Sequence, residues 1–156
     1  MKDIIYMDEP ITKNDLYFVC YIIERVARKL HQPNKYVVNS IGEKELYKLI
    51  CNAPVLHCEN PLKIESELIN DYGLVKGNFN ISDVDKELCD KIPSETAIGK
   101  VYMRLIQDTL QPEEDYIKGL MRVYNDSICE TIDNYNCSAY YEPSYFIARA
   151  YFNGGF

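Results

Sequence analysis

The spacing of apolar residues, repeated along most of the chain, is the feature that most limits the fold. Between Thr12 and Leu30 the apolar side chains recur at steps of three and four, which places them on one face of a helix. These side chains are Leu16, Val19, Cys20, Ile23, Val26, Ala27 and Leu30. No convincing pair of strands and no internal repeat is present in the sequence. The pattern therefore predicts an all-α fold.

Capping and stop signals divide the chain into about eight short-to-medium helices. Asn60-Pro61 joins a capping side chain to a proline at the first helical position, and Gly73 ends that helix. Ser82 with Asp85 resembles a weak capping box and predicts a helix that reaches Ile92. The first helix, capped by Thr12 or Asn14, is predicted to run to about Leu30. Further helices are predicted over roughly 43–51, 94–110, 112–124, 127–135 and 143–153, with a short one after Pro33. Residues 52–59 form a short, apolar stretch whose secondary structure the sequence does not determine.

The size and composition of the chain are those of one globular domain. It has 156 residues, of which 47% are hydrophobic and 26% are charged. At this length roughly 70% of the surface of the unfolded chain can be buried. We expect a single compact bundle over residues 1–156, with a subdomain seam near 74–81, where Gly77 and two asparagines interrupt the apolar pattern.

The six cysteines and the N-terminal segment predict a cytoplasmic protein. The cysteines form no CxxC pair and no spacing typical of a zinc site, so we expect free, structurally passive thiols. The segment MKDIIYMDEP contains no signal sequence, and no apolar run approaches the roughly 18 residues of a membrane span. Phosphate-binding glycine motifs are absent, so we expect no cofactor and no metal.

Negative charge is concentrated in the second half of the chain. Residues 79–156 carry 13 acidic and seven basic side chains, whereas residues 1–78 carry 11 and ten, and the whole chain has a net charge of −7. A phosphate backbone is repelled by such a field, which argues against direct binding of nucleic acid. The acidic half is either a solvated surface, a surface for a basic partner or a surface that mimics nucleic acid.

Tyrosine is unusually frequent, with 14 residues in the chain. Residues 135–156 alone contain eight aromatic side chains. On a helix that starts near Pro143, Phe146 belongs to the more apolar set expected to face the core. Tyr145 and Phe152 are left near the rim, beside the preceding Tyr140-Tyr141 pair. We therefore predict that Tyr140, Tyr141, Tyr145 and Phe152 contribute to a contact surface for a protein partner or a second copy of the chain.

A second pattern, between residues 14 and 70, resembles a known family. Its elements are the run Phe18–Glu24, Ala27, Tyr36-Val37, Leu46–Ile50 and Val55-Leu56-His57. They resemble a short bacterial family that is catalogued as a domain of unknown function, number thirty-seven ninety-one. Members carry an Ile-Glu pair in a helix, matched here by Glu24, and a later Leu-His pair, matched by Leu56 and His57. The family often has Thr after this pair, where this chain has Cys58.

The resemblance implies an antitoxin or regulatory partner. Members of that family are often encoded beside a predicted toxin that resembles an ADP-ribosyltransferase. The leading hypothesis is therefore a non-enzymatic cytoplasmic module that binds a toxin or another basic protein. One alternative is an acidic inhibitor, of a phage or mobile element, that mimics nucleic acid and blocks a nucleic-acid-binding enzyme. The other is a small enzyme that uses His57, for which we favour a structural role as a half-buried side chain at a helix end.

Overall fold

The computed structural model describes residues 10–156, and this part of the chain is an all-helical bundle, as the apolar spacing predicts. The N-terminal helices are α1 (Lys13–Leu30), α2 (Asn34–Ile41), α3 (Glu43–Cys51), α4 (Ala53–Leu56) and α5 (Pro61–Asp71). The C-terminal helices are α6 (Glu95–Thr109), α7 (Tyr116–Tyr124), α8 (Ile128–Ile132) and α9 (Ser144–Asn153). Two short 3₁₀-helices, Tyr135–Cys137 and Ala139–Tyr141, lie between α8 and α9.

The long helix α1 occupies the centre of the bundle. Thr12 and Asp15 form a reciprocal capping box at its start, and His31 ends it in the left-handed conformation at a φ of 51°. Helix α1 packs against α2, α3, α4 and α5 on the N-terminal side and against α6 on the C-terminal side. Because α1 contacts both halves, the buried apolar side chains within residues 10–156 form one hydrophobic cluster.

The C-terminal helices are arranged around α6. Helix α6 begins after Ser94, whose hydroxyl accepts a hydrogen bond from the Ala97 amide, and it packs against α1, α7 and α9. The buried rings of Tyr102 on α6 and Tyr124 on α7 are stacked, with their centroids 4.6 Å apart. Helix α7 also packs against α2 and α3, so it forms a second contact between the N-terminal and the C-terminal helices.

The helix predicted from Ser82 to Ile92 does not form. Residues 73–94 run as a loop with isolated turns, and Leu88, expected on an apolar face, is exposed. The Asp85 amide donates to Asn136 Oδ1, and the Asp85 carboxylate accepts from the Glu87 amide. The Ser82 amide donates to Asn80 Oδ1. Side-chain acceptors thus bind the amides around the expected helix start.

Helix α7 begins later than the Pro112 signal predicts. Asp115 is its N-cap and accepts from the Lys118 amide at 2.8 Å. The preceding Glu114 carboxylate turns to Arg122, which donates to both of its oxygens at 2.7 and 2.9 Å. This bidentate contact holds the connection between α6 and α7 in a turn.

Thiol accessibility gives a first prediction. All six cysteines lie within residues 10–156 and are free, and only Cys58 and Cys137 are exposed. Burial raises the pKa of the Cys20 thiol to about 12, which removes its reactive thiolate at neutral pH. A thiol reagent such as DTNB at neutral pH should therefore label two thiols rapidly in the folded protein and six in denaturant. Rapid labelling of Cys20, Cys51, Cys89 or Cys129 in the folded state would contradict the buried placement.

Close packing of α1 on α6 gives a second prediction. A Cβ atom on Gly99 would lie 3.0 Å from Tyr21 Cα and 3.1 Å from Tyr21 N. Gly99→Ala should lower the free energy of unfolding by about 1–3 kcal/mol, because backbone atoms must move apart to admit the methyl group. This cost opposes the intrinsic helix preference of Ala, which is worth about 1 kcal/mol over Gly.

The matched control is Gly119→Ala on α7. There a Cβ atom would meet the end of the Leu110 side chain at 2.8 Å, and that side chain can move. Urea unfolding of the two variants should show a clear loss for Gly99→Ala and a much smaller change for Gly119→Ala. Equal stabilities of the two variants would mean that the contact between α1 and α6 can admit a methyl group at position 99 without a cost.

Candidate functional site

Five exposed aromatic side chains cluster in the last 16 residues, and we call them the aromatic surface. They are Tyr141, Tyr145, Phe146, Phe152 and Phe156. Tyr141 is 80% exposed, Tyr145 64% and Phe152 60%, so these rings contribute little to the core. Exposed large apolar side chains in a group, as opposed to single ones, mark interaction sites in soluble proteins.

The geometry of α9 explains the aromatic surface. Ile147, Ala148 and Ala150 are buried and hold the helix on the bundle, while Tyr145 and Phe152 lie on the opposite side. The prediction that Phe146 faces the core is wrong, because this ring is 39% exposed and stacks on Phe156 with centroids 6.2 Å apart. The chain turns at Gly154, at a φ of 81°, which allows Phe156 to return over Phe146.

Tyr140 differs from the other three residues predicted for the contact surface. Its ring is half-buried and lies 5.1 Å from the buried Tyr135 ring, centroid to centroid. Burial, with a hydrogen bond to Cys89, raises the pKa of Tyr140 to about 12. Tyr140 therefore packs against the exposed Tyr141 ring, with the two centroids 4.8 Å apart. Tyr140 itself exposes less of its side chain to solvent than Tyr141 does.

A shallow groove of about 320 Å³ adjoins the aromatic surface. It lies between α6 and the start of α9, and Arg104, Tyr140, Tyr141, Pro143 and Ile147 are among its lining residues. Tyr141 belongs both to the groove and to the aromatic surface. Tyr141 therefore joins the aromatic surface to a depression that can accept a side chain.

Glu24, Leu56 and His57, on which the predicted resemblance to a family rests, lie in different environments. Leu56 is buried in α4, and Glu24 is almost completely buried in α1. His57 follows α4, and the prediction that it is half-buried is wrong because the side chain is exposed. Its ring lies 4.5 Å from the Phe18 ring, centroid to centroid. His57 does not line the groove beside the aromatic surface. The Cys58 side chain beside it is also exposed.

Glu24 is part of a buried polar network that joins α1 to the second half of the chain. Its Oε2 accepts from Arg28 Nε at 2.8 Å, and its Oε1 accepts from Asn34 Nδ2 at 3.0 Å. One terminal nitrogen of Arg28 donates to the Pro93 carbonyl at 2.8 Å and to the Tyr135 hydroxyl at 3.0 Å. The network thus links α1 to the segment before α6 and to the segment after α8.

Asp133 completes this network from the end of α8. Its Oδ1 accepts from the Tyr102 hydroxyl at 2.7 Å, and its Oδ2 receives a longer contact of 3.4 Å from Asn34 Nδ2. Burial, with the nearby charge of Glu24, raises the pKa of Asp133 well above its ordinary range. Sequence reasoning missed Arg28, Asn34 and Asp133. The one local signal is the four-residue spacing of Glu24 and Arg28, which is typical of a helical ion pair.

Within residues 10–156 no helix has the length and apolar character needed to cross a membrane. In the same range no three His, Cys, Asp or Glu side chains are grouped so that they could hold a metal ion.

Comparison of the chain with models of known protein families, with curated proteins and with solved structures finds no match in any of the three.

The raised pKa of Asp133 gives a third prediction. Because the folded state holds this proton more tightly than the unfolded chain, its contribution to stability is full below the ordinary Asp pKa of about 3.9. That contribution is lost as the pH rises towards the folded pKa of Asp133. Asp133→Asn removes the titration, so the stability of the variant relative to the unchanged protein should increase between pH 5 and pH 8.

Urea unfolding at several pH values measures this difference. For one titrating group, the difference in the free energy of unfolding can change by at most about 1.4 kcal/mol per pH unit. Asp108→Asn, an exposed substitution on α6, controls for the loss of one carboxylate. A difference between Asp133→Asn and the unchanged protein that stays constant from pH 5 to pH 8 would contradict the assignment.

Proposed function

We propose that the protein is a non-enzymatic interaction module and that the aromatic surface binds a basic protein partner. The observation that carries this proposal is the exposure of five aromatic rings in a single region of a chain that also has a well-filled core. Aromatic side chains provide large contact area at a modest cost in side-chain entropy and often dominate binding energy.

Charge favours a basic partner over a second copy of the chain. The net charge of −7 steers positively charged proteins towards this one and repels another copy. Exposed Tyr and Phe faces also attract Lys and Arg side chains. Arg149 makes such a contact within the chain, with its Cζ 5.9 Å from the centre of the Tyr145 ring.

The resemblance of residues 14–70 to the bacterial family named above suggests which class of protein the partner belongs to. It implies a toxin, which this protein would neutralise or regulate as an antitoxin. A cytoplasmic location is consistent with that role, because the free thiols stay reduced there.

The fourth prediction tests the aromatic surface directly. Tyr141→Ala combined with Tyr145→Ala should weaken binding of the partner at least tenfold, because truncation of one aromatic hot spot costs about 2 kcal/mol or more. The melting temperature should stay nearly unchanged, since both rings are exposed. The control combines Leu62→Ala with Leu88→Ala, which truncates two similarly exposed side chains in other parts of the surface.

The experiment has two stages. Affinity capture from a lysate of the source organism first compares the unchanged protein, the double tyrosine variant and the leucine control. A protein that only the tyrosine variant fails to retain is then purified, and its dissociation constant is measured by calorimetry at several salt concentrations. The proposal requires a partner rich in Lys and Arg whose affinity falls as salt increases.

Two outcomes would overturn the proposal. One is equal retention by the tyrosine variant and the leucine control. The other is self-association of the unchanged protein that the tyrosine variant abolishes, which would make a second copy the occupant of the surface.

A further inference from the structure

Two adjacent cavities lie beside the buried polar network. Their volumes are about 480 and 240 Å³. Both are lined by the start of α2, the loop after Phe79 and the end of α8, and they share Asn34, Phe79, Asn80, Ile81 and Asp133. The larger cavity falls within the range of about 300–1,000 Å³ that is typical of sites for small molecules.

The walls of the paired cavities are strongly acidic. Six carboxylate residues line them, namely Glu24, Asp83, Glu95, Asp126, Glu130 and Asp133. The permanently basic residues in these walls are Arg28 and Lys35, and His31 also lines the smaller cavity. Arg28 is already paired with Glu24 at 2.8 Å. A cleft with this charge balance raises the local concentration of cations and excludes anions.

Asn34, which lines both cavities, shows that this region has more hydrogen-bond acceptors than donors. Its side-chain nitrogen contacts both Glu24 and Asp133, and the residue is only 4% exposed. Its Oδ1 is buried and has no hydrogen-bond partner within residues 10–156. A buried acceptor without a donor costs about 1–3 kcal/mol. The unpaired oxygen is an observation independent of the acidic residues, and a ligand N–H group that reaches Asn34 would satisfy it.

The rest of the larger cavity is apolar and partly aromatic. Pro33, Phe79, Ile81, Val84 and Tyr135 contribute to its lining. These side chains offer van der Waals contact to a flat or short aliphatic group, while the carboxylates lie in the same wall. The cavity thus combines a site for a cationic head with a site for an apolar body.

We propose that this cavity binds a small organic cation, in which an amidine, guanidine or amine head is joined to a short apolar or aromatic body. The cationic head lies towards Asp133 and Asn34, and the apolar body lies along Phe79 and Tyr135. This site is separate from the aromatic surface, and the proposal does not depend on the partner of that surface.

Three probes of the same shape test the proposal. Benzamidine is cationic, benzamide is neutral and benzoate is anionic, and all three carry the same ring. Titration of the full chain, followed by amide chemical shifts in NMR spectra, should give a dissociation constant at least tenfold lower for benzamidine than for benzamide. Benzoate should cause no saturable shifts. The benzamidine shifts should map to Asn34, Phe79, Asn80 and Asp133.

Variants of the wall locate the charge that is recognised. A cation bound beside Asp133 offsets the burial and the Glu24 charge that raise the pKa of this carboxyl, and so favours its ionised form. Asp133→Asn keeps the shape of the side chain but cannot ionise, so it should weaken benzamidine binding at least tenfold. If this variant does not fold, the combined substitution Asp83→Asn and Glu130→Gln, both at exposed residues of the larger cavity, should weaken binding at least threefold. Glu113→Gln is the matched control, because this exposed residue is outside both cavities, and it should leave binding unchanged.

Three results would overturn the proposal. Benzamide that binds as tightly as benzamidine would show that the cavity does not select for charge. Benzamidine shifts confined to residues outside the two cavities would place the site elsewhere. Binding that none of the wall variants weakens would remove the role of the carboxylates.

Discussion

The half-buried guanidinium of Arg28 makes the hydrogen bonds on which the assembly of the two halves depends. It belongs to the central helix, yet it bonds the Pro93 carbonyl and the Tyr135 hydroxyl, which come from far along the chain. Glu24 supplies the compensating charge from the same helix. A buried charge is tolerated only when it is paired and its donors are used, so these partners must stay together. The acidic cavities lie directly beside this network because Glu24, Asn34 and Asp133 belong to both.

Tyrosine, the most unusual feature of the composition, serves two separate purposes in the fold. Tyr102, Tyr124 and Tyr135 are almost completely buried, and two of them direct their hydroxyl groups to partners in the polar network. Tyr141 and Tyr145 are exposed and contribute area to the aromatic surface. A single residue type suits both places because its ring is apolar while its hydroxyl can bind water or a buried polar group.

Sequence signals located the helices best where the deciding contacts are local. Thr12, Asn60 and Ser94 cap helices close to the predicted positions, because each side chain bonds an amide only two or three residues away. The prediction failed at Ser82–Ile92, where Asn136, distant in sequence, binds the Asp85 amide. Phe146 was assigned to the core from helical spacing alone, but the returning C-terminus places Phe156 against an exposed ring.

The sequence by itself determined the helical class, the positions of most helices and the acidic, aromatic character of the C-terminal half. These properties follow from apolar spacing, capping and charge, which act over a few residues or as a sum over the chain. Only the tertiary structure decided that Glu24 is buried, that Asp133 lies beside it and that Asn34 joins them. These side-chain positions depend on which distant segments of the chain come into contact when the core forms. The desolvation of a polar group, and the partners that compensate for it, exist only after that closure.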